Sequence, residues 1–127
     1  MTKKVRANKK VRSIMKNKSL KASHELAMSV YKYTQHFPQE EANGLTLQLR
    51  NIAVGIPESI AEGLGRMYDA ELGLFLSASL GLVSKLAYVV ELSFQLGYLE
   101  ESELDGLEEK IEEVKLLLNA SIQKIAA

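Results

Sequence analysis

The sequence of 127 residues contains no cysteine and no tryptophan. The missing thiols exclude disulfides, thiolate metal sites and cysteine nucleophiles, and their absence is compatible with a reducing compartment. The two histidines, His24 and His36, both lack a glutamate three residues earlier, which the Glu-x-x-His units of di-iron bundles require. The chain also lacks a Ser–His–Asp order, a phosphate-binding loop and a metal-ligand spacing. We therefore predict that it is not an enzyme and has no catalytic residues, metal site or cofactor.

Long apolar runs are also missing, because every run is interrupted well short of the roughly 20 residues that span a bilayer. The basic N-terminal stretch is not followed by the apolar core of a signal peptide. We expect a cytoplasmic protein with no membrane partner.

Proline occurs only twice, and sustained helical periodicity predicts an all-α chain. The most regular apolar stripe lies in residues 44–66, where the spacings of 4, 3, 4 and 4 place its members on one buried helical face. These members are Leu45, Leu49, Ile52, Ile56 and Ile60. Pro57 interrupts the backbone ladder there and predicts a bend, while Gly63 and Gly65 predict the helix end.

Three further helices are predicted, over 19–35, 69–96 and 101–125, with Ser19 and Asp69 as N-caps of the first two. Glu62 and Arg66 stand four residues apart, a spacing that favours an ion pair. The connections are short, so the fold class is an antiparallel up-and-down four-helix bundle occupying residues 19–127.

The helix over 69–96 is apolar on more than one face, which indicates that a second protomer or another protein covers it. This pattern favours an oligomer of some kind without fixing the number of copies, and a cyclic homo-oligomer with a heterologous interface would cover the surface. The interface residues predicted from the second face are Leu74, Leu82, Tyr88 and Val89.

Two motifs carry a family resemblance: LTLQLRNIAVGIPESIAEGLGR at 45–66 and LGYL at 96–99. Together they resemble the small bacterial four-helix bundles of the 23S rRNA intervening-sequence protein family, which is related to the accessory protein of diversity-generating retroelements. The resemblance implies a homopentamer and an association with inserted ribosomal RNA segments. Gly55 and Ser59 stand where the family usually has a serine and an asparagine, and the smaller Gly55 permits a closer helix approach.

Positive charge is concentrated at one end of the chain. Residues 1–21 contain nine Lys or Arg and no acid, whereas the rest has seven basic and sixteen acidic residues, a net charge of −9. Residues 1–18 are predicted to be a flexible basic arm, which either binds nucleic acid or serves only as a solubilising tail. Eight acidic residues cluster between Glu100 and Glu113, early in the fourth helix, where negative charge suits the helix dipole. They either form a solvated face or bind the basic arm.

The favoured function is therefore a non-catalytic protein that binds RNA or DNA with low sequence specificity. The alternative is a structural or adaptor protein that binds a protein partner without contacting nucleic acid. The residues predicted to contact nucleic acid are Lys3, Lys4, Arg6, Lys9, Lys10, Arg12, Lys16, Lys18, Arg50 and Arg66.

Overall fold

A computed structural model describes residues 16–126, and the predicted contacts of Lys3 to Arg12 lie outside this range. The described residues form four α-helices and one short 3₁₀ helix, with no strand among them. The α-helices are α1 (Lys18–Thr34), α2 (Leu45–Leu64), α3 (Asp69–Gln95) and α4 (Glu101–Ala126), and the 3₁₀ helix is Gln39–Glu41. The all-α prediction is confirmed.

Each helix packs against its neighbour in the chain, and α4 closes the bundle against α1. Hydrogen bonds fix the antiparallel directions, because Arg50 near the start of α2 donates to Thr34 at the end of α1. Likewise Ser59, late in α2, donates to the carbonyl of Phe75, early in α3. The bundle is therefore up-and-down, as predicted from the short connections.

The predicted stripe of α2 lies in the core, and all five of its members are buried. It packs against buried residues from the other three helices, among them Leu26 of α1, Leu86 of α3 and Leu118 of α4. Burying each of these side chains contributes about 1.5 to 3 kcal/mol, so the stripe stabilises the bundle more than any local helix signal does.

Two helix starts differ from the prediction. The N-cap of α1 is Asn17, whose Oδ1 accepts the backbone N–H of Leu20 at 3.0 Å, whereas Ser19 lies inside the helix and is buried. Asp69 is the first residue of α3 and follows the N-cap Tyr68. Its carboxylate still lies in the first turn, where negative charge suits the positive end of the helix dipole.

The glycines near the end of α2 have different roles. Gly65 is the C-cap, as expected, but Gly63 lies within the helix. A Cβ on Gly63 would lie 2.8 Å from Cβ of Phe75 and 3.0 Å from Cδ1 of Leu72. Gly63 therefore allows α2 and α3 to approach closely. Gly55 does the same further along, since a Cβ there would come within 3.2 Å of Leu82.

Pro57 lies inside α2 without ending it. The chain reverses between α3 and α4 at Gly97, whose φ of +85° is the left-handed conformation that glycine tolerates best. This reversal was predicted from the glycine that follows the apolar run of α3.

Candidate nucleic-acid and self-association surfaces

One end of the bundle collects the start of α1, the end of α2, the start of α3 and the end of α4. We call it the arm end, because residues 1–15 join the bundle there at Lys16. A groove at this end is lined partly by the N-cap Asn17, by Lys18 of α1 and by Ser121 and Lys124 of α4. The antiparallel topology thus places the first and last turns of the bundle side by side.

Lys16 and Lys18 lie at this end, and Lys18, assigned to the arm in the sequence analysis, is the first residue of α1. The structure adds Lys21, which lines a second groove together with Lys18, and Lys124, which lies across the first groove. Lys124 was missed because its position depends on which helices are neighbours. In a bundle of four antiparallel helices the last helix ends where the first begins. Because α4 packs against α1, a lysine in the last turn of α4 lies beside the first turn of α1.

Arg66 also lies near the arm end, just beyond α2. Its guanidinium lies over the ring of Phe75, 4.9 Å from the centroid, and 3.9 Å from the carboxylate of Glu71. The predicted pairing of Arg66 with Glu62 is wrong, because α2 ends at Leu64 and the two residues do not share a helical face. The side chain remains 43% exposed, which leaves part of the guanidinium open to solvent.

Arg50 lies at the opposite end of the bundle, roughly 20 Å from Arg66 along the axis. Its Nε donates to Oγ1 of Thr34 at 2.9 Å, and its guanidinium lies 4.5 Å from the ring centroid of Tyr31. A cation at this position also suits the negative end of the α1 dipole. The structure therefore does not bring Arg50 to the arm end, and these contacts join α1 to α2.

The opposite end carries carboxylates engaged in local contacts. Glu41 accepts the hydroxyl of Tyr98 at 3.1 Å through one oxygen and the backbone N–H of Leu45 at 3.0 Å through the other. The hydrogen bond to Glu41 raises the pKa of the Tyr98 phenol above its ordinary 10.0. Nearby, Nε2 of His36 lies 3.4 Å from Glu103. Carboxylates therefore lie at this end and lysines lie at the arm end, so charge is distributed unevenly along the bundle axis.

The outer face of α3 carries two large exposed apolar side chains, with small residues and Lys85 between them, and the rest of the described chain does not cover it. Leu74 is 73% exposed and Tyr88 is 67% exposed, and the exposed small residues Ser77, Gly81 and Ser84 lie between them. A Cβ on Gly81 would have no neighbour within 4 Å, so packing within the chain does not require a glycine there. A glycine inside a helix lowers stability by roughly 1 kcal/mol relative to alanine. In the single chain no close packing at Gly81 offsets this loss.

The other two predicted interface residues lie elsewhere. Val89 is 3% exposed and belongs to the core of its own bundle, so its placement on the outer face was wrong. Leu82 is half-buried and packs over Gly55 of α2. Because α3 is apolar almost all round, its periodicity could not separate the inner face from the outer one.

Residues 15–120 match the family model of the 23S rRNA-intervening sequence protein. The chain belongs to this family. The match spans all of α1, α2 and α3 and most of α4, and no curated protein matches the chain.

Two further observations concern functions outside this family description. By length and composition α3 is the one helix among the described residues that could cross a membrane, and 33% of its most apolar window is buried inside the bundle. The core helix of a soluble protein passes the same test of length and composition. Across residues 16–126 there is no group of three or more His, Cys, Asp or Glu side chains that could hold a metal ion.

Proposed function

We propose that this member of the 23S rRNA-intervening sequence protein family is a non-catalytic, cytoplasmic protein that binds RNA or DNA with low sequence specificity. The observation that carries the proposal is that Lys18 lines one groove at the arm end with Lys21 and a second groove with Lys124. Lys16 precedes them in the chain. Six more cations lie within residues 3–12, so the charge of the arm continues onto the folded surface. The family description, which refers to ribosomal RNA, supports RNA as the first ligand to test.

The chemistry of this surface favours phosphate contacts over base recognition. Lysines bind phosphate as point charges and release condensed counterions when they do so, which supplies affinity without sequence information. The arm contains no aromatic residue on which bases could stack. Binding should therefore fall steeply with salt and should differ little between sequences of the same length.

Self-association through the outer face of α3 completes the proposal. A second protomer over Leu74, Gly81 and Tyr88 would remove the apolar surface from water and give the unexplained glycine a close neighbour. The family resemblance favours five copies in a ring. Residues 1–21 of five chains would present about 45 positive charges in one assembly, from nine per chain.

The test compares two full-length triple variants by fluorescence anisotropy with a short single-stranded RNA and the matching DNA. The arm-end variant is Lys18→Gln, Lys21→Gln and Lys124→Gln. The control is Lys32→Gln, Lys85→Gln and Lys110→Gln, which removes the same charge elsewhere in the bundle.

We expect the affinity of wild type for these single-stranded probes to fall by about 300-fold or more between 50 and 200 mM salt if six or more phosphates are contacted. The arm-end variant should reduce the slope of log affinity against log salt by about two to three, since each lost phosphate contact removes roughly 0.7 to 0.9. Equal effects of the two variants, or no binding by wild type at low salt, would refute the proposal.

A protein adaptor is the second candidate, favoured by the exposed Leu74 and Tyr88. It predicts that α3 binds a different protein and that the purified chain is a monomer. Light scattering on the wild-type chain distinguishes the two arrangements, since self-association would occupy this face.

A further inference from the structure

The outer face of α4 carries an unusual concentration of unpaired negative charge. Within residues 16–126, none of its exposed acids lies within 4.0 Å of a cationic side chain, since the two ion pairs there involve Glu71 and Glu103. Four pairs of these acids stand at i and i+4, where like charges repel and destabilise a helix. The exposed acids are Glu101, Asp105, Glu108, Glu109, Glu112 and Glu113.

An apolar-floored groove runs beside this face, between α1 and α4. Its floor includes Ala22 and Leu117, and its walls include Glu25 and Glu113, enclosing about 320 Å³. Leu116, the neighbour of Leu117, is 62% exposed. The groove thus offers apolar surface, with two carboxylates balanced by the cations of Lys18 and Lys21. The excess negative charge that suits a basic segment lies beyond the groove, on the exposed acids of α4.

Residues 1–15 match this surface in charge and length. They contain six cations and the apolar residues Val5, Val11 and Ile14, and they lie outside the described residues. The groove is also lined by Lys18 and Lys21, so the segment joins the bundle beside it. The acids from Glu113 to Glu101 extend along about 18 Å of helix, whereas fifteen residues reach about 50 Å when extended and about 22 Å when helical.

We propose that residues 1–15 dock along the α1–α4 groove and the acidic face of α4 in the same chain. Their cations neutralise the repelling carboxylates, and their apolar side chains cover the groove floor and Leu116. Docking needs no nucleic acid. A second consequence rests on the proposed function: RNA or DNA must displace the arm before it binds, so the acidic face limits nucleic-acid affinity.

Zero-length carbodiimide cross-linking of the full chain tests the docking in the absence of nucleic acid. We expect Lys3, Lys4, Lys9 and Lys10 to link mainly to acids 105–113 at about 50 mM salt. At about 500 mM salt, where charges are screened beyond roughly 4 Å, these links should fall about fivefold. Co-refolded ¹⁴N and ¹⁵N copies distinguish links within one chain from links between chains.

Two full-length variants, each losing four carboxylates, extend the test. The first is Glu108→Gln, Glu109→Gln, Glu112→Gln and Glu113→Gln on the acidic face. The control is Glu40→Gln, Glu58→Gln, Glu62→Gln and Glu91→Gln elsewhere. The first variant should lose most arm cross-links and bind a short RNA about fivefold more tightly. A fivefold change is the size expected from losing several exposed ion pairs. The control should change neither property.

Three results would overturn the docking: cross-links spread evenly over the acids of the body, links mainly between differently labelled copies, or equal effects of the two variants on cross-linking. Mainly intermolecular links would identify a second copy as the occupant of the face. If no variant binds RNA or DNA, the proposed function fails, but the cross-links still decide the docking. Intramolecular links that disappear only in the first variant would support it.

Discussion

The close approach of α2 and α3 at Gly63 leads to a quantitative prediction. In Gly63→Ala, the new methyl group would lie 2.8 Å from Cβ of Phe75 and 3.0 Å from Leu72. A Cβ atom cannot rotate away from this contact, so α3 must shift relative to α2. Overpacking of this kind typically costs about 1 to 3 kcal/mol, while the gain in helix propensity returns about 1 kcal/mol. We expect a net loss of up to about 2 kcal/mol in the free energy of unfolding.

The matched control is Gly81→Ala, because a Cβ there meets nothing within 4 Å. In the isolated chain this variant should gain about 1 kcal/mol from helix propensity. Both variants are measured by urea denaturation followed by circular dichroism, at two protein concentrations to separate folding from association. If Gly63→Ala gains stability as Gly81→Ala does, the methyl group meets no obstacle and the close packing of α2 on α3 is wrong. A gain for Gly81→Ala at low concentration with weaker self-association at high concentration would support a close neighbour on the α3 face.

Three further predictions concern the cap, the far end and the outer face. Asn17→Ala should cost about 1 kcal/mol in urea denaturation by removing the cap of α1, whereas Asn17→Asp should retain most of it. The pKa of Tyr98 is raised, so its hydrogen bond to Glu41 stabilises the fold below pH 10, and this stability is lost as the pH rises through the folded-state pKa. Tyr98→Phe should reduce this loss of unfolding free energy at alkaline pH. An unchanged dependence of stability on pH would exclude the stabilising role of the hydrogen bond. Leu74→Lys should lower the mass measured by light scattering, whereas Met28→Lys, at a 60% exposed position on α1, should leave it unchanged; equal behaviour would rule out the outer face of α3 as the interface.

The fold could be predicted from the sequence because its strongest signals are local and periodic. The stripe from Leu45 to Ile60 in α2 specifies one buried face, and the glycine at 97 specifies a reversal. The N-cap of α1 was misassigned because Asn17 and Ser19 are both good N-cap residues and stand only two positions apart. The choice between them depends on where Leu20 enters the core, which is a tertiary property.

The surfaces were predicted less completely, for physical reasons that differ between residues. Val89 adjoins Val90 and both are buried, an arrangement that a helix apolar on several faces conceals. Arg50 carries the same charge as the arm, but its contact with Thr34 depends on the neighbouring helix. Lys124 joins the arm end only through the topology of the bundle. Charge composition therefore indicated a basic segment, while the fold determined which charges adjoin it.

An even number of antiparallel helices has a consequence for how the arm is displayed. Lys16 and Lys124 lie at the same end, so a short linker could join the end of α4 to the start of α1. Opening the chain in the connection around Gly97 would then give a circular permutant with the same four helices. An arm attached at that opening would emerge among the carboxylates of the opposite end. The packing of the core thus does not determine which end of the bundle carries the arm. The arm could be moved to the opposite end without changing the core residues.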